Sequence, residues 1–80
     1  MDRDHYAKEA ERLLRDDVLN FALDLIREEA LEELATADPA DMVTLLRHQQ
    51  TVAVVDGIRG ELRGATLRLS NANPARGSFA

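Results

Sequence analysis

Cysteine and tryptophan are missing from this sequence, and Tyr6, Phe21 and Phe79 are its only aromatic residues. Without cysteine there is neither a disulfide framework nor a thiolate metal site, and compartment cannot be read from redox chemistry. An apolar fraction carried by aliphatic side chains favours packed helices over a β-sandwich. Nowhere does the chain approach the roughly eighteen consecutive apolar residues of a membrane span. Its opening residues, MDRDHYAKEAERL, are charged and lack an apolar export-type stretch. These features predict a cytoplasmic protein with no membrane partner. Eighty residues allow one domain, which buries only about 60 to 65% of the surface its unfolded chain exposes. Association with further copies is the common remaining source of stability for so small a chain.

Residue patterns for catalysis and cofactor binding are equally sparse. His5 and His48 lie far apart and have no companion ligand at metal-binding spacing. No serine, histidine and aspartate share a local context that would mark a nucleophile. Gly57, Gly60 and Gly64 follow a helical pattern rather than a strand, and no lysine-serine or lysine-threonine pair closes them, so they are not a phosphate loop. The sequence predicts no catalytic, metal or cofactor-binding residues, and a protein that is not an enzyme.

The net charge of -5 conceals a division. Residues 1–41 hold 13 acidic and 5 basic side chains, whereas residues 42–80 hold 2 acidic and 5 basic. The acidic half can face the basic half, within a chain or between neighbours. Arg59, Arg63 and Arg68 are candidate phosphate contacts, yet no stripe has the strongly basic character of an autonomous nucleic-acid binder. Nucleic acid is therefore not the favoured partner.

Along the chain, Asp2 or Asp4 caps a first helix running to about Leu14, with Tyr6, Ala10, Leu13 and Leu14 as its apolar edge. The pattern breaks at Arg15-Asp16-Asp17. Asp16 is positioned as the N-cap of a second helix, a continuous helix being the alternative. In that second helix Leu19, Leu23, Ile26, Ala30 and Leu34 form one stripe, widened at its start by Val18, Phe21, Ala22 and Leu25. Asn20, Asp24, Arg27 and Glu28 are expected opposite it, facing water. Arg27, Glu28, Glu29, Glu32 and Glu33 lack the shared pocket that shifts carboxylate pKa values for catalysis, so they read as a solvated face.

Asp38-Pro39-Ala40-Asp41 predicts a tight connection, with Asp38 as N-cap, Pro39 at the first helical position and Asp41 in the first turn. A connection this short joins antiparallel neighbours. The last helix is expected from Pro39 to about Leu69, completing a single helical domain over residues 1–69. Residues 70–80, SNANPARGSFA, have the composition of a flexible tail. Phe79 could anchor that tail on a neighbour, although a free end is the expectation.

Within the last helix, Ala53, Gly57, Gly60 and Gly64 share a narrow stripe that extends back to Met42 and Leu46. Val55, Ile58, Leu62, Ala65 and Leu69 share a second, separate stripe. A helix with two non-polar faces requires two partners. Each glycine costs about 0.8 to 1 kcal/mol relative to alanine in a helix interior. Either another helix approaches the small stripe closely, or the helix breaks at Gly57 or Gly64. Between the stripes and the connection, His48-Gln49-Gln50-Thr51 form a polar layer that sets register across an interface or faces solvent. The two stripes make Ala53, Val55, Gly57, Ile58, Gly60, Leu62 and Gly64 the expected protein-interface residues.

The residues Ala10, Leu13-Leu14-Arg15-Asp16-Asp17-Val18-Leu19 and Ala22, with Val55-Asp56-Gly57-Ile58-Arg59-Gly60-Glu61-Leu62, give a layout that resembles small helical proteins of tailed-phage and prophage head and packaging gene clusters. That resemblance implies a non-enzymatic phage structural or assembly protein that binds other virion or capsid proteins. A small-terminase-like DNA-packaging factor is the alternative within the resemblance, although no DNA-binding domain of the kind many small terminases carry is apparent. A cellular helical adaptor or regulator is the alternative outside it. The fold expectation is all-α: a short N-terminal helix plus a long antiparallel helical hairpin that self-associates as a homo-oligomer.

Overall fold

In the computed structural model, which describes residues 1–71 and side chains through Arg68, the chain forms three helices and no strand among those residues. They are α1 (Arg3–Leu14), α2 (Asp17–Thr36) and α3 (Met42–Asn71). Asp2 caps α1, its carboxylate accepting the His5 N–H at 2.8 Å. The helix closes where the N–H groups of Arg15 and Asp16 donate to the carbonyls of Arg12 and Leu13. Asp16 then adopts an extended conformation, and its carboxylate accepts the Leu19 N–H at 2.9 Å. This satisfies one of the orphan donors at the start of α2 and excludes the continuous-helix alternative.

The connection between α2 and α3 begins as expected and ends later. Asp38 does not cap the last helix; its carboxylate accepts the Ala40 N–H and its carbonyl accepts the Asp41 N–H, both at 2.9 Å. Pro39 therefore lies in a turn. Asp41 is the cap, accepting the Thr44 N–H at 3.1 Å and the Thr44 hydroxyl at 2.7 Å. The physical reason is the partner three residues on: Thr44 offers Asp41 two donors, whereas Asp38 has only another aspartate at that spacing. These bonds also lower the Asp41 pKa from its ordinary value, the threonine hydroxyl contributing most.

At about 1.5 Å per residue, the 30 residues of α3 form a rod of about 45 Å on which both other helices rest. α2 runs antiparallel to it, completing the hairpin. α1 packs on the C-terminal half of α3 and touches α2 little, since its apolar face meets α3. The buried core is small-residue rich: Ala7 and Ala10 from α1, Leu23 and Ala30 from α2, Val55 and Ala65 from α3. α1 thus docks with Ala7 and Ala10 at the centre of its contact, where small side chains allow close approach, and with Tyr6, Leu13 and Leu14 half-buried around them.

Candidate protein-docking surface

The two stripes of α3 separate as the sequence spacing requires. Val55 and Ala65 are buried against the rest of the chain, with Leu62 half-buried beside them and Ile58 exposed at the margin. Val55 and Leu62 therefore belong to the intrachain seam. The small stripe lies on the opposite face of α3. Ala53, Gly57 and Gly60 are exposed, and a methyl group added at Gly57 or Gly60 would meet nothing within 4 Å. At Gly64 it would meet the flexible end of Arg68 at 3.3 Å. The helix passes through all three glycines unbroken with negative φ. Neither sequence-based account holds within one chain: the helix does not break, and no intrachain helix approaches the stripe.

One edge of the α2–α3 seam is polar. Arg27 Nε donates to Asp56 Oδ1 at 2.9 Å, and Arg59 reaches Asp24 Oδ1 at 2.6 Å and the Asn20 carbonyl at 3.0 Å. Asn20, Asp24 and Arg27, expected to face water, instead build this edge. Arg27 holds the Asp56 carboxyl below its ordinary pKa, chiefly through their hydrogen bond. Asn20 also spans the joint between α1 and α2, its side-chain amide donating to the carbonyls of Leu14 and Asp16, each at 2.9 Å. The Arg59 side chain retains only 14% exposure. Of the candidate phosphate contacts, Arg59 is therefore committed to the fold, and Arg68 pairs with Glu61 at 2.9 Å. Arg63 is exposed and makes no ion pair among the described residues.

Glu61 also receives the Tyr6 hydroxyl at 2.8 Å, fastening α1 to α3. That bond is the main reason the Glu61 pKa lies below its usual value and the Tyr6 pKa above its own. The His48 layer divides: His48 and Thr51 are half-buried toward α2, while Gln49 and Gln50 are exposed.

The opposite edge of the seam is apolar and open. Leu23, Ile26, Val54, Val55 and Ile58 line a groove there, which continues past Thr51 and Gln50 to Arg47 toward the interhelical connection. Sequence periodicity did not single out Val54, which lies between the two stripes and is 60% exposed. Further exposed apolar side chains include Val18, Phe21 and Leu25 on the outer face of α2, and Met42, Leu46 and Leu67 beside the small stripe of α3. Among the described residues no cluster of His, Asp and Glu is arranged to hold a metal ion, and no helix is long and apolar enough to cross a membrane. The expected tail, including Phe79, lies beyond the described residues apart from Ser70 and Asn71, which continue α3.

No family model matches the chain, and no curated protein or solved structure matches it either.

Proposed function

We propose that this chain is a non-enzymatic assembly module that associates with further copies of itself through outward-facing surfaces of α2 and α3. One observation carries the reading: the fully buried residues are mostly small, while several of the large apolar side chains face outward. Four of the six buried core residues are alanines, whereas Val18, Phe21, Met42, Val43, Val54 and Leu67 are each at least 59% exposed. Fully burying a side chain of this size contributes about 1.5 to 3 kcal/mol, so covering several of them by association is a substantial driving force. Clustered apolar exposure of this kind marks interaction surfaces.

Sedimentation and light scattering of the full chain test the proposal. A stable assembly heavier than the 8.9 kDa monomer is expected; a monomer at every concentration refutes it. The resemblance to phage head and packaging proteins supplies the setting, in which such an assembly would bind other virion proteins. A DNA-packaging role has less support, because two of the three candidate phosphate contacts are engaged within the chain. Salt titration of DNA binding separates these roles, since several arginine–phosphate contacts produce a steep loss of affinity with salt.

A further inference from the structure

The two edges of the α2–α3 seam are chemically unequal. Ion pairs close one, whereas the other is a groove of about 360 Å³, walled by Ile26, Val54 and Ile58 over Leu23 and Val55. We propose that this groove receives α2 of a second copy, through the outward ridge of Val18, Phe21 and Leu25. The inference rests on the self-association proposed above and assigns its faces.

Three observations select that occupant. The ridge residues follow the spacing of a helix that lays one face into an apolar groove; Val18 and Phe21 are 80% and 68% exposed and make little contact inside their own chain, and Leu25 retains 44% exposure. Ridge and groove also match in length. Ile58 to Arg47 and Val18 to Glu29 are equal separations in sequence, each about 16 Å along a helix. Their charges match as well: the ridge turns acidic at Glu28 and Glu29, and the groove ends at Arg47. None of these three side chains makes an ion pair among the described residues.

The heavier charge at the Glu28–Glu29 end, two carboxylates against Asp17 alone at the Val18 end, sets a direction. With the incoming α2 antiparallel to α3 and Val18 level with Ile58, Phe21 lies between Ile58 and Val54, Leu25 comes level with Thr51 about one turn from Val54, and Glu28 and Glu29 meet Arg47. The reverse direction sets carboxylates against Ile58 and an apolar side chain against the Arg47 guanidinium. Because ridge and groove are different surfaces, every copy offers both. The contact is head-to-tail, and successive copies close into a ring or extend into a filament.

The test uses full-length Phe21→Glu and Val54→Glu chains, alone and mixed, followed by sedimentation velocity with circular dichroism as the check on folding. Each variant alone should lose assembly and sediment as a monomer. Their equimolar mixture should form a two-chain species and nothing larger, because only one intact ridge and one intact groove remain to pair. A monomeric mixture, or either variant assembling like the parent, overturns the ridge-in-groove contact while leaving self-association standing. A monomeric parent overturns both. Should either substitution reduce helicity, charge reversal carries the test. Arg47→Glu should weaken association at least tenfold, and Glu28→Lys with Glu29→Lys in the same chain should restore it. Failure of that restoration overturns the proposed register.

Discussion

Replacing Gly57 and Gly60 together by alanine should stabilise the protein, and the magnitude follows from two features of α3. Both residues lie in the interior of an unbroken helix, and a Cβ at either position has open space within 4 Å. Each substitution therefore gains helix propensity, about 0.8 to 1 kcal/mol, with no steric term to set against it. The double variant should gain about 1.6 to 2 kcal/mol. For a chain of this size that corresponds to a rise in melting temperature of roughly 6 to 16 °C. Thermal and urea unfolding by circular dichroism, at one fixed chain concentration because association contributes to apparent stability, measure the change. Unaltered or reduced stability would refute the reasoning, and reduced stability accompanied by reduced assembly would place another helix directly against the small stripe. Gly60→Leu extends the comparison: an exposed stripe tolerates it, whereas a helix–helix contact there does not.

Arg59→Met keeps much of the apolar stem but removes the bonds to Asp24 and the Asn20 carbonyl. Asp24 is 67% exposed and returns to water, so the cost should be about 1 to 2 kcal/mol, read from the urea midpoint. Asn20→Ala should cost a similar amount, about 1 to 2 kcal/mol; limited proteolysis should find its main effect at the joint between Leu14 and Asp17. Leu23→Ala, at the largest buried position of α2, should cost about 2 to 4 kcal/mol, measured in the same unfolding assay. Acidification should weaken both the Tyr6–Glu61 fastening of α1 and the hairpin's bonds at Asp56 and Asp41. Glu61, Asp56 and Asp41 have folded pKa values below their ordinary 4.5, 3.8 and 3.8. Their contributions are thus present above those ordinary values and lost as pH falls through the lower folded ones. The raised Tyr6 pKa acts at the other extreme, its contribution being present below the ordinary 10.0 and lost as pH rises through the folded value. Helicity and Tyr6 fluorescence followed across both ranges check the two signs.

The all-helical class, the cap at Asp16 and the hairpin are legible in the sequence because each is local: an interrupted periodicity, an aspartate with a backbone donor three residues on, and an Asp-Pro turn. The start of α3 is less so, since Asp38 and Asp41 compete for one role and the hydroxyl of Thr44 decides between them. Tertiary choices are harder still. Ala10 is legible on the apolar edge of α1, but Ala7 carries too little apolar signal to mark the centre of that contact, and Asn20, Asp24 and Arg27 have the composition of a wet surface. What could have revealed the polar edge is charge beside the apolar stripe: Asp56 and Arg59 flank Val55 and need partners when that stripe is buried. Of the sequence-assigned interface, Val55 and Leu62 were apolar because the chain itself uses them, while the open groove depends on Val54 and Ile26, brought together only by the hairpin.

The arrangement of both partners on α3 also ranks what can come apart. α1 meets almost nothing but α3, so it can lift away while the hairpin stays paired. No pairing survives the loss of α3 itself. Amide protection against hydrogen exchange should therefore fade first in α1, later in α2, and last in the middle of α3 where Val55 is enclosed. The longest helix, carrying three glycines and poor in intrinsic propensity, is then the last to open, because two neighbours hold it in place.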